Sequence, residues 1–410
     1  MTASVGKRRL KILFLSQRFL YPMDTGGKIR TGKILEHLKD LCDITLISNV
    51  ESPKDDHYLD DIQNLCHQFH GVPWKEVVKY TPKFYLRILH RLFSRYPITV
   101  VNDYSPSLEK SVLAAIKRDQ YDLLICDFLQ PSLNFKKIHG HPTLLFQHNV
   151  ESMIMRRHFE SAENFLYKLF WQLQWLKMDR YERDTCSRFT GIVTVSEPDK
   201  LTLQQHYGAR NVFAIPTGVD TEYFSPWRAP IVENSLVFTG AMDWLPNEDA
   251  ILFFAREILG AIQARIPTVT LTVVGRNPSR RLVSELRRYP AITVVGRVDD
   301  VRPFIGRHAL YIIPLRIGGG TRIKAYEAMA MGKAVVSTRV GVEGLPVKHG
   351  QHVVMADTPA EFAAAVVDLL KHPAKRRRIE TAARDYVCAN ASWRQVALAF
   401  AEACLKVAHG

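Results

Sequence analysis

Short apolar runs alternate with segments of helical periodicity along most of the chain. The apolar runs cover 11–17, 42–50, 121–128, 141–150, 190–196 and 212–219 in the first half, and 236–239, 269–274, 292–295, 309–315 and 334–337 in the second. Segments such as 27–39 and 198–207 place apolar residues at helical spacing between them. Buried parallel strands joined by helices produce this alternation, so the sequence predicts an α/β protein with two doubly wound, Rossmann-like domains.

An irregular, proline-containing segment at 226–234 separates the two sets of runs. We therefore predict an N-terminal domain over 1–225, a second domain over 226–390, and a C-terminal helix over 391–410. The chain has 410 residues, of which 47% are hydrophobic, and this is enough material for two cores.

The most specific local pattern lies between the apolar run 309–315 and the next run. A glycine-rich loop there precedes a segment of helical periodicity at 322–331, so the backbone can approach a ligand and the helix start offers free N–H groups. Such a turn is typical of an anion site, most simply for a phosphate. The loop residues are Gly318, Gly319, Gly320 and Thr321, and Thr321 is the predicted N-cap.

Two cations and one acid follow this loop. Arg322 and Lys324 in the first turn oppose the helix dipole, and this is a poor choice for helix stability alone, so they indicate a bound anion. Glu327 lies three residues after Lys324, on the same face of the helix. It is either a carboxylate that accepts hydrogen bonds from a sugar diol or an ordinary helix glutamate paired with one of the two cations.

The stretch GGGTRIKAYEAMAMGKAVVST at 318–338 resembles the donor-site signature of the GT-B glycosyltransferases of family four, and most of all the branch found with bacterial exopolysaccharide clusters. Other segments that resemble the family follow in order at 18–31, 147–152, 194–200, 216–224, 238–250 and 392–393, so the resemblance covers nearly the whole chain. It implies two domains that face a central cleft, with a C-terminal helix that crosses back to the first. It also implies a retaining transferase of the hexosyltransferase type with a UDP- or GDP-sugar as co-substrate, and it places Glu327 on the ribose.

The chain departs from the family pattern at two places. Gly319 occupies the position of the first glutamate of the usual pair, and residues 241–243 stand where a family Arg or Lys often follows the strand. Recognition of the diphosphate is therefore expected to depend more on loop amides, Arg322 and Lys324. The sequence has no Asp-x-Asp pair, so it implies no divalent metal and no other cofactor.

Further candidates begin helices or follow strands, where ligands gather in open α/β sheets. In the first half, Gly26 and Gly27 precede Arg30 at a helix start, and this predicts a second anion site for the donor. Through the resemblance we assign acceptor and transition-state contacts to His148, although a structural or surface histidine is an equal alternative. Asn149 and Glu151 are expected on the acceptor side.

Two strand ends in the second half carry arginines. Arg276 follows Gly275 and is expected to reach a diphosphate, while the resemblance implies that Arg297 and Val298, after Gly296, hold the base. Either arginine is equally well explained as a solvated loop charge.

A net charge of +14 indicates an anionic partner. No nucleic-acid module is recognisable, so the donor and an anionic membrane are the expected partners, besides a glycan or lipid-linked acceptor. Residues 74–96 predict a basic amphipathic helix that contacts either the membrane or the sheet. For the aromatic-rich helix at 164–186, burial is favoured. Six scattered cysteines favour a reduced, cytoplasmic protein, in position to work at the inner face of the plasma membrane.

These observations predict a transferase of exopolysaccharide or cell-surface polysaccharide synthesis. A nucleotide-sugar epimerase or a phosphorylase on the same architecture is the enzyme alternative, and sugar products formed without an acceptor would favour it. A basic, non-catalytic membrane adaptor is the non-enzyme alternative, and it predicts no affinity for nucleotides.

Overall fold

The computed structural model describes residues 8–75, 81, 88–89, 91–160, 162, 164–317 and 322–410. The chain divides into two compact units: unit 1 contains Met1–Pro216 and Val396–Gly410, and unit 2 contains Thr217–Gln395. The sequence places the boundaries at 225/226 and 390/391 instead. Residues just after Pro216 group with unit 2 because the Val219 amide donates to the Ala391 carbonyl, 2.8 Å away.

Unit 1 is built on a parallel sheet of seven strands in the order β3-β2-β1-β4-β5-β6-β7. The strands are β1 Leu10–Ser16, β2 Cys42–Val50, β3 Gln68–Pro73, β4 Leu123–Asp127, β5 Thr143–Phe146, β6 Gly191–Thr194 and β7 Val212–Ala214. The helices are α1 Gly26–Leu38, α2 Leu59–Gln63, α3 Ile98–Asp103, α4 Pro106–Arg118, α5 Glu151–Glu160, α6 Phe165–Arg188 and α7 Glu197–Tyr207. Apolar side chains of the inner strands and of α4, α6 and α7 form one buried core.

Unit 2 has a parallel sheet of six strands in the order β10-β9-β8-β11-β12-β13. The strands are β8 Val232–Thr239, β9 Thr270–Val274, β10 Ile292–Gly296, β11 His308–Ile313, β12 Val335–Ser337 and β13 Val354–Met355. The helices are α8 Leu245–Phe253, α9 Leu259–Gln263, α10 Arg280–Leu286, α11 Arg302–Arg307, α12 Ile323–Ala330, α13 Pro359–Lys371, α14 Pro373–Asn390 and α15 Trp393–His409. From Val396 onward α15 belongs to unit 1, where the Phe400 ring packs edge-on against Phe146 at 5.0 Å.

The predicted α/β class with two doubly wound parallel sheets is confirmed. The sequence missed β3 and β13, and both are the outermost strands of their sheets, partly exposed and without an apolar run. The favoured burial of the aromatic-rich helix is wrong for its first half, because Phe165, Leu166 and Tyr167 on α6 are exposed. About half of the predicted basic helix at 74–96 lies outside the described residues. Within the described part of the chain, no helix is long and apolar enough to cross a membrane.

Candidate functional site

Three neighbouring strands of unit 2 are closed by glycine at their carboxyl ends. Gly240 follows β8, Gly275 follows β9 and Gly296 is the last residue of β10. The Gly240 amide donates to Val274 at 3.0 Å, and the Gly275 amide donates to Gly296 at 2.9 Å. A Cβ on Gly275 would lie 1.7 Å from the Gly240 carbonyl oxygen. The ends of β8 and β9 therefore lie too close together for a side chain at Gly275, and the three glycines leave bare backbone at the edge where open sheets bind ligands.

The amino group of Lys324 occupies the space beside Gly240. A Cβ on Gly240 would lie 2.8 Å from Lys324 Nζ. Nζ donates a hydrogen bond of 2.8 Å to the side-chain oxygen of Asn247 and lies 4.3 Å from the centre of the Phe238 ring. Asn247, at the start of α8, is fixed in turn because its amide group donates to the Ala241 carbonyl at 2.8 Å. Burial lowers the pKa of Lys324 to about 7, although neighbouring Glu327 opposes the shift.

Glu327 lies one turn further along α12. Burial raises the pKa of its carboxyl group to about 7, and the positive charge of Lys324 only partly opposes this. Burial raises the pKa of neighbouring Tyr311, and the charge of Glu327 adds to this shift, while the Tyr311 hydroxyl is hydrogen-bonded to the Thr239 hydroxyl at 2.5 Å. Burial thus moves the pKa values of Lys324 and Glu327 toward each other. Such shifted pKa values are typical of functional sites.

Arg322 is held by the protein at the start of α12. Its Nε donates to the Val340 carbonyl at 2.8 Å, and its terminal nitrogen lies 3.4 Å from Glu343. The helix begins at Ile323 with Arg322 in the N-cap position, so the predicted place of Arg322 in the first turn is corrected by one residue. The predicted loop residues Gly318, Gly319, Gly320 and Thr321, the last of which is the predicted N-cap, lie outside the described residues.

The other donor candidates of unit 2 lie at the surface. Arg276 is exposed, and its Nε is 3.9 Å from Asp243, which also accepts a 2.9 Å hydrogen bond from Asn277. Arg297 is exposed after β10, while Val298 is half-buried and packs on the apolar core of the unit. Both arginines follow glycine-ended strands, as their positions in the sequence predicted.

Unit 1 contains a different arrangement at the carboxyl end of its β4. Asp127 is buried and accepts hydrogen bonds from the Ser16 hydroxyl at 3.0 Å, the Thr31 hydroxyl at 3.0 Å and His148 Nε2 at 2.9 Å. The donors come from β1, α1 and the segment after β5, so one carboxylate connects three elements. Sequence reasoning missed Asp127; its only signal was an acid at the end of an apolar run.

His148 is buried between aromatic rings. Its ring stacks on Phe128 with 3.8 Å between centroids, and Phe146 lies tilted against it at 4.3 Å. Phe128 has φ 71°, a left-handed conformation that bulky residues rarely adopt. Burial lowers the pKa of His148, and the bond to Asp127 opposes the shift. The ring is therefore neutral at pH 7, and its Nε2 donates to the carboxylate.

The predicted anion site at the start of α1 is only partly open. Gly26 is exposed, but a Cβ on Gly27 would lie 2.4 Å from the Phe128 ring. Arg30 is buried, donates to the Ile215 carbonyl at 3.2 Å and lies over the Phe146 ring. Desolvation lowers the pKa of its guanidinium to about 9, and among the described residues its Nε has no hydrogen-bond partner.

Asn149 and Glu151 line a pocket of unit 1 together with Arg18, Asp103 and Gln130. Burial raises the pKa of Glu151, and hydrogen bonds from Gln130 and Asn149 oppose the shift. The pocket combines acids, amides and an arginine, which is chemistry suited to a hydroxyl-rich ligand.

A second carboxylate that the sequence did not reveal holds this pocket in place. Glu182, fully buried on α6, accepts hydrogen bonds from the backbone amides of Glu151 at 2.9 Å and Ser152 at 3.0 Å. It thereby caps the start of α5, and burial raises its pKa to about 7. Among the described residues, no group of three or more His, Cys, Asp or Glu side chains is placed to hold a metal ion.

Each half of the chain matches a family model of glycosyltransferases. Residues 26–223 match the family described as Glycosyltransferase Family 4, and residues 233–372 match Glycosyl transferases group 1. An uncharacterized 44.6 kDa protein in the cps region of Klebsiella pneumoniae is 20% identical over 404 residues, which are 94% of this chain and 97% of that protein.

Solved structures share the whole fold at low identity. Sucrose-phosphate synthase from Thermosynechococcus elongatus superposes with a TM-score of 0.68 at 18% identity, covering 97% of this chain and 99% of that one. Anabaena HepE in complex with UDP-glucose gives 0.63 at 16% identity over 97% and 100% of the two chains. A glycosyltransferase from Rickettsia africae gives 0.63 at 14% identity over 98% and 99%. These likenesses show the GT-B glycosyltransferase fold.

Proposed function

We propose that this chain, with its two glycosyltransferase family domains and GT-B fold, is a retaining glycosyltransferase. It transfers a sugar, of the hexosyl type, from a nucleoside diphosphate sugar to a hydroxyl of a glycan or lipid-linked acceptor. The cps-region relative, although only 20% identical, supports a place in exopolysaccharide or cell-surface polysaccharide synthesis. The donor is a UDP- or GDP-sugar, and the HepE complex with UDP-glucose supports the first of these.

One observation carries this proposal: the Lys324 amino group lies at a glycine-lined strand edge, with its pKa lowered to about 7. A strand edge without side chains leaves room for a bulky anion. The protonated form of a desolvated amine is strongly stabilised by such an anion. A diphosphate at this edge would return the pKa of Lys324 toward its usual value and hold the side chain protonated. Donor binding and the charge of Lys324 are thus coupled.

Lys324 also explains how the site would accelerate transfer. Negative charge grows on the leaving diphosphate as the sugar–phosphate bond breaks, so a fixed cation there binds the transition state more tightly than the ground state. Asn247 fixes the position of Lys324 Nζ, because its side-chain oxygen accepts a 2.8 Å hydrogen bond from it. In this mechanism Lys324 both positions the diphosphate and stabilises its negative charge, so no divalent metal is needed.

Glu327 is assigned to the ribose of the donor. Its carboxylate form accepts two hydrogen bonds from a diol, as acids do in dinucleotide folds. Burial raises its pKa to about 7 in the free protein, and a diol that donates to it favours the ionised form. Arg276, Arg297 and Val298 are assigned to the diphosphate and base, and Gly318–Arg322 to the same diphosphate.

The acceptor side is assigned to unit 1. Asn149 and Glu151 line a polar pocket there that suits a hydroxyl-rich acceptor. His148, which follows β5 next to Asn149, takes sugar or acceptor contacts. Gly26, Gly27 and Arg30 are proposed to contribute to donor binding from the start of α1. We further propose work at the cytoplasmic face of the plasma membrane, with residues 74–96 in contact with anionic lipid and no role for nucleic acid.

The test is a thermal-shift panel of UDP-, GDP- and ADP-sugars on the wild type, Glu327→Ala, and the matched control Glu257→Ala, a half-exposed glutamate elsewhere in unit 2. We expect one nucleotide series to raise the melting temperature of the wild type and the control but not of Glu327→Ala. Absence of a shift with every nucleotide sugar would refute the transferase and favour the adaptor. A shift accompanied by conversion of the sugar without any acceptor would favour the epimerase.

A further inference from the structure

The first half of α6 presents a stripe of leucines to solvent. Leu166, Leu169, Leu173 and Leu176, here called the leucine stripe, are 73%, 53%, 41% and 55% exposed. Their spacing of three, four and three residues places them on one helix face. Phe165 and Tyr167 beside them are exposed as well. Amphipathic helices normally turn such a face to the core, whereas the buried face of α6 is formed by residues such as Gln174, Met178 and Glu182.

The helix is firmly formed where this face begins. The side chain of Asn164 caps it by accepting from the Leu166 amide at 2.9 Å and the Tyr167 amide at 3.2 Å. The apolar side chains therefore project from an ordered, capped helix into solvent.

A second segment enlarges the apolar surface. Lys177 on α6 donates hydrogen bonds to the carbonyls of Leu92 at 2.6 Å and Ser94 at 2.7 Å, which fixes residues 92–94 beside the stripe. Phe93, between these two residues, is 87% exposed, and Leu89, four positions earlier in the sequence, is exposed as well. Singly scattered surface leucines need no explanation, but a contiguous group of this kind marks an interaction site.

The two segments that form this surface carry cations and no acids. The sequence has no acid between Glu76 and Asp103, and none from Asn164 to Met178. Exposed Lys168 lies on α6 beside the face of the stripe, with its Nζ 5.5 Å from the centre of the Phe159 ring, and Arg91 and Arg95 flank Phe93. Leucine and aromatic side chains bordered by cations match the boundary between acyl chains and anionic headgroups. A symmetric contact with a second copy would instead press like charges together.

We propose that the leucine stripe, with Leu89 and Phe93, is the surface by which the chain docks on an anionic lipid bilayer. The first half of α6 lies in the plane of the interface, its apolar side chains reach the acyl boundary, and Lys168 stays at the headgroups. The docking surface itself is inferred from the exposure and charge of its residues. Its purpose, which is to bring the enzyme to a lipid-linked acceptor, rests on the proposed function.

Vesicle co-sedimentation of the full chain tests the surface. The probes are phosphatidylcholine vesicles with and without phosphatidylglycerol, and the variants are the double change Leu166→Ser with Leu173→Ser, and Lys168→Glu. Leu201→Ser is the matched control, because Leu201 is a 48% exposed leucine on α7 of the same unit.

The wild type and Leu201→Ser are expected to bind the anionic vesicles and to bind pure phosphatidylcholine more weakly. The double variant should bind at least about tenfold more weakly, since two leucines no longer enter the acyl boundary. Lys168→Glu should weaken binding by a smaller factor that disappears at high salt. Thermal shifts with nucleotide sugars should be the same in all four proteins, and this separates docking from the donor site.

Three results would overturn the proposal. The wild type could fail to bind anionic vesicles, or the double variant could bind as tightly as Leu201→Ser. In the third, the wild type would form a dimer in solution that the double variant loses, without binding to lipid, and the surface would then be an interface between copies.

Discussion

At the carboxyl edge of the sheet in unit 1, Asp127 is surrounded by donors from Ser16, Thr31 and His148, all within 3.0 Å. At the same edge in unit 2, glycines remove side chains from three strand ends, and Lys324 reaches into the space. Both edges carry ionisable groups, but unit 1 satisfies its acid within the protein. Unit 2 leaves a cation and an acid with pKa values of about 7.

The difference shows how similar sheets can use a buried charge in two ways. A carboxylate with several hydrogen bonds stabilises the fold, and removing it leaves its donors unpaired. A desolvated lysine lowers the stability of the folded protein until an anion binds. It therefore contributes favourably only in the ligand-bound state. The two edges should therefore respond in opposite ways to mutation, in stability on one side and in activity on the other.

The largest expected effect is on catalysis in unit 2. Lys324→Ala should lower kcat by about 10²–10³, because it removes the cation that stabilises the leaving diphosphate. The free energy of unfolding should fall by no more than about 1 kcal/mol, since removal of a poorly solvated charge offsets the loss of the hydrogen bond to Asn247. Steady-state kinetics and urea unfolding measure both, with exposed Lys371→Ala as the control. A large loss of stability with unchanged kcat would reverse the comparison.

Unit 1 should show the opposite behaviour. Asp127→Ala leaves three buried donors unpaired, so the free energy of unfolding should fall by about 2–4 kcal/mol. Asp184→Ala, a change on the exposed face of α6, should stay within about 0.5 kcal/mol of the wild type. Chemical denaturation measures the difference, and equal stabilities of the two variants would show that the Asp127 network does not stabilise unit 1.

The smallest effect sharpens the role of the bare strand edge. Gly275→Ala should destabilise by about 1–3 kcal/mol and weaken donor binding, because its methyl group meets the Gly240 carbonyl and forces the backbone apart. Gly260→Ala on α9, where no atom lies within 4 Å of the added carbon, should be neutral or stabilising by up to about 1 kcal/mol. Similar effects of both changes on stability and nucleotide affinity would mean that close packing of the strand ends is not required.

Sequence patterns predict the interior of the fold well and its margins poorly. The run 42–50 coincides with β2, because an inner strand that is covered on both faces buries apolar side chains such as Ile44, Leu46 and Ile47. Outer strands such as β3 carry no such run, since one edge meets solvent. The exposure of α6 was missed for a related reason: apolar spacing shows which residues share a face, but not what covers that face.

The candidate site divides in the same way. Lys324 and Glu327 could be found because their spacing on one helix is local. Asn247 and Asp127 could not, since Asn247 binds a lysine 77 positions away and Asp127 a threonine 96 positions away. Hydrogen bonds between distant segments form only once the sheet has folded. The spacing of apolar residues along the sequence does not predict them.

Proton uptake on donor binding tests most directly whether the edge in unit 2 is a diphosphate site. Calorimetry at pH about 8, in buffers of different ionisation enthalpy, with the nucleoside diphosphate that raises the melting temperature, gives the number of protons bound. Lys324 is mostly neutral there, since its pKa in the free protein is about 7. The account predicts uptake of close to one proton by the wild type and none by Lys324→Met. Binding without proton uptake, or equal uptake in both proteins, would contradict it.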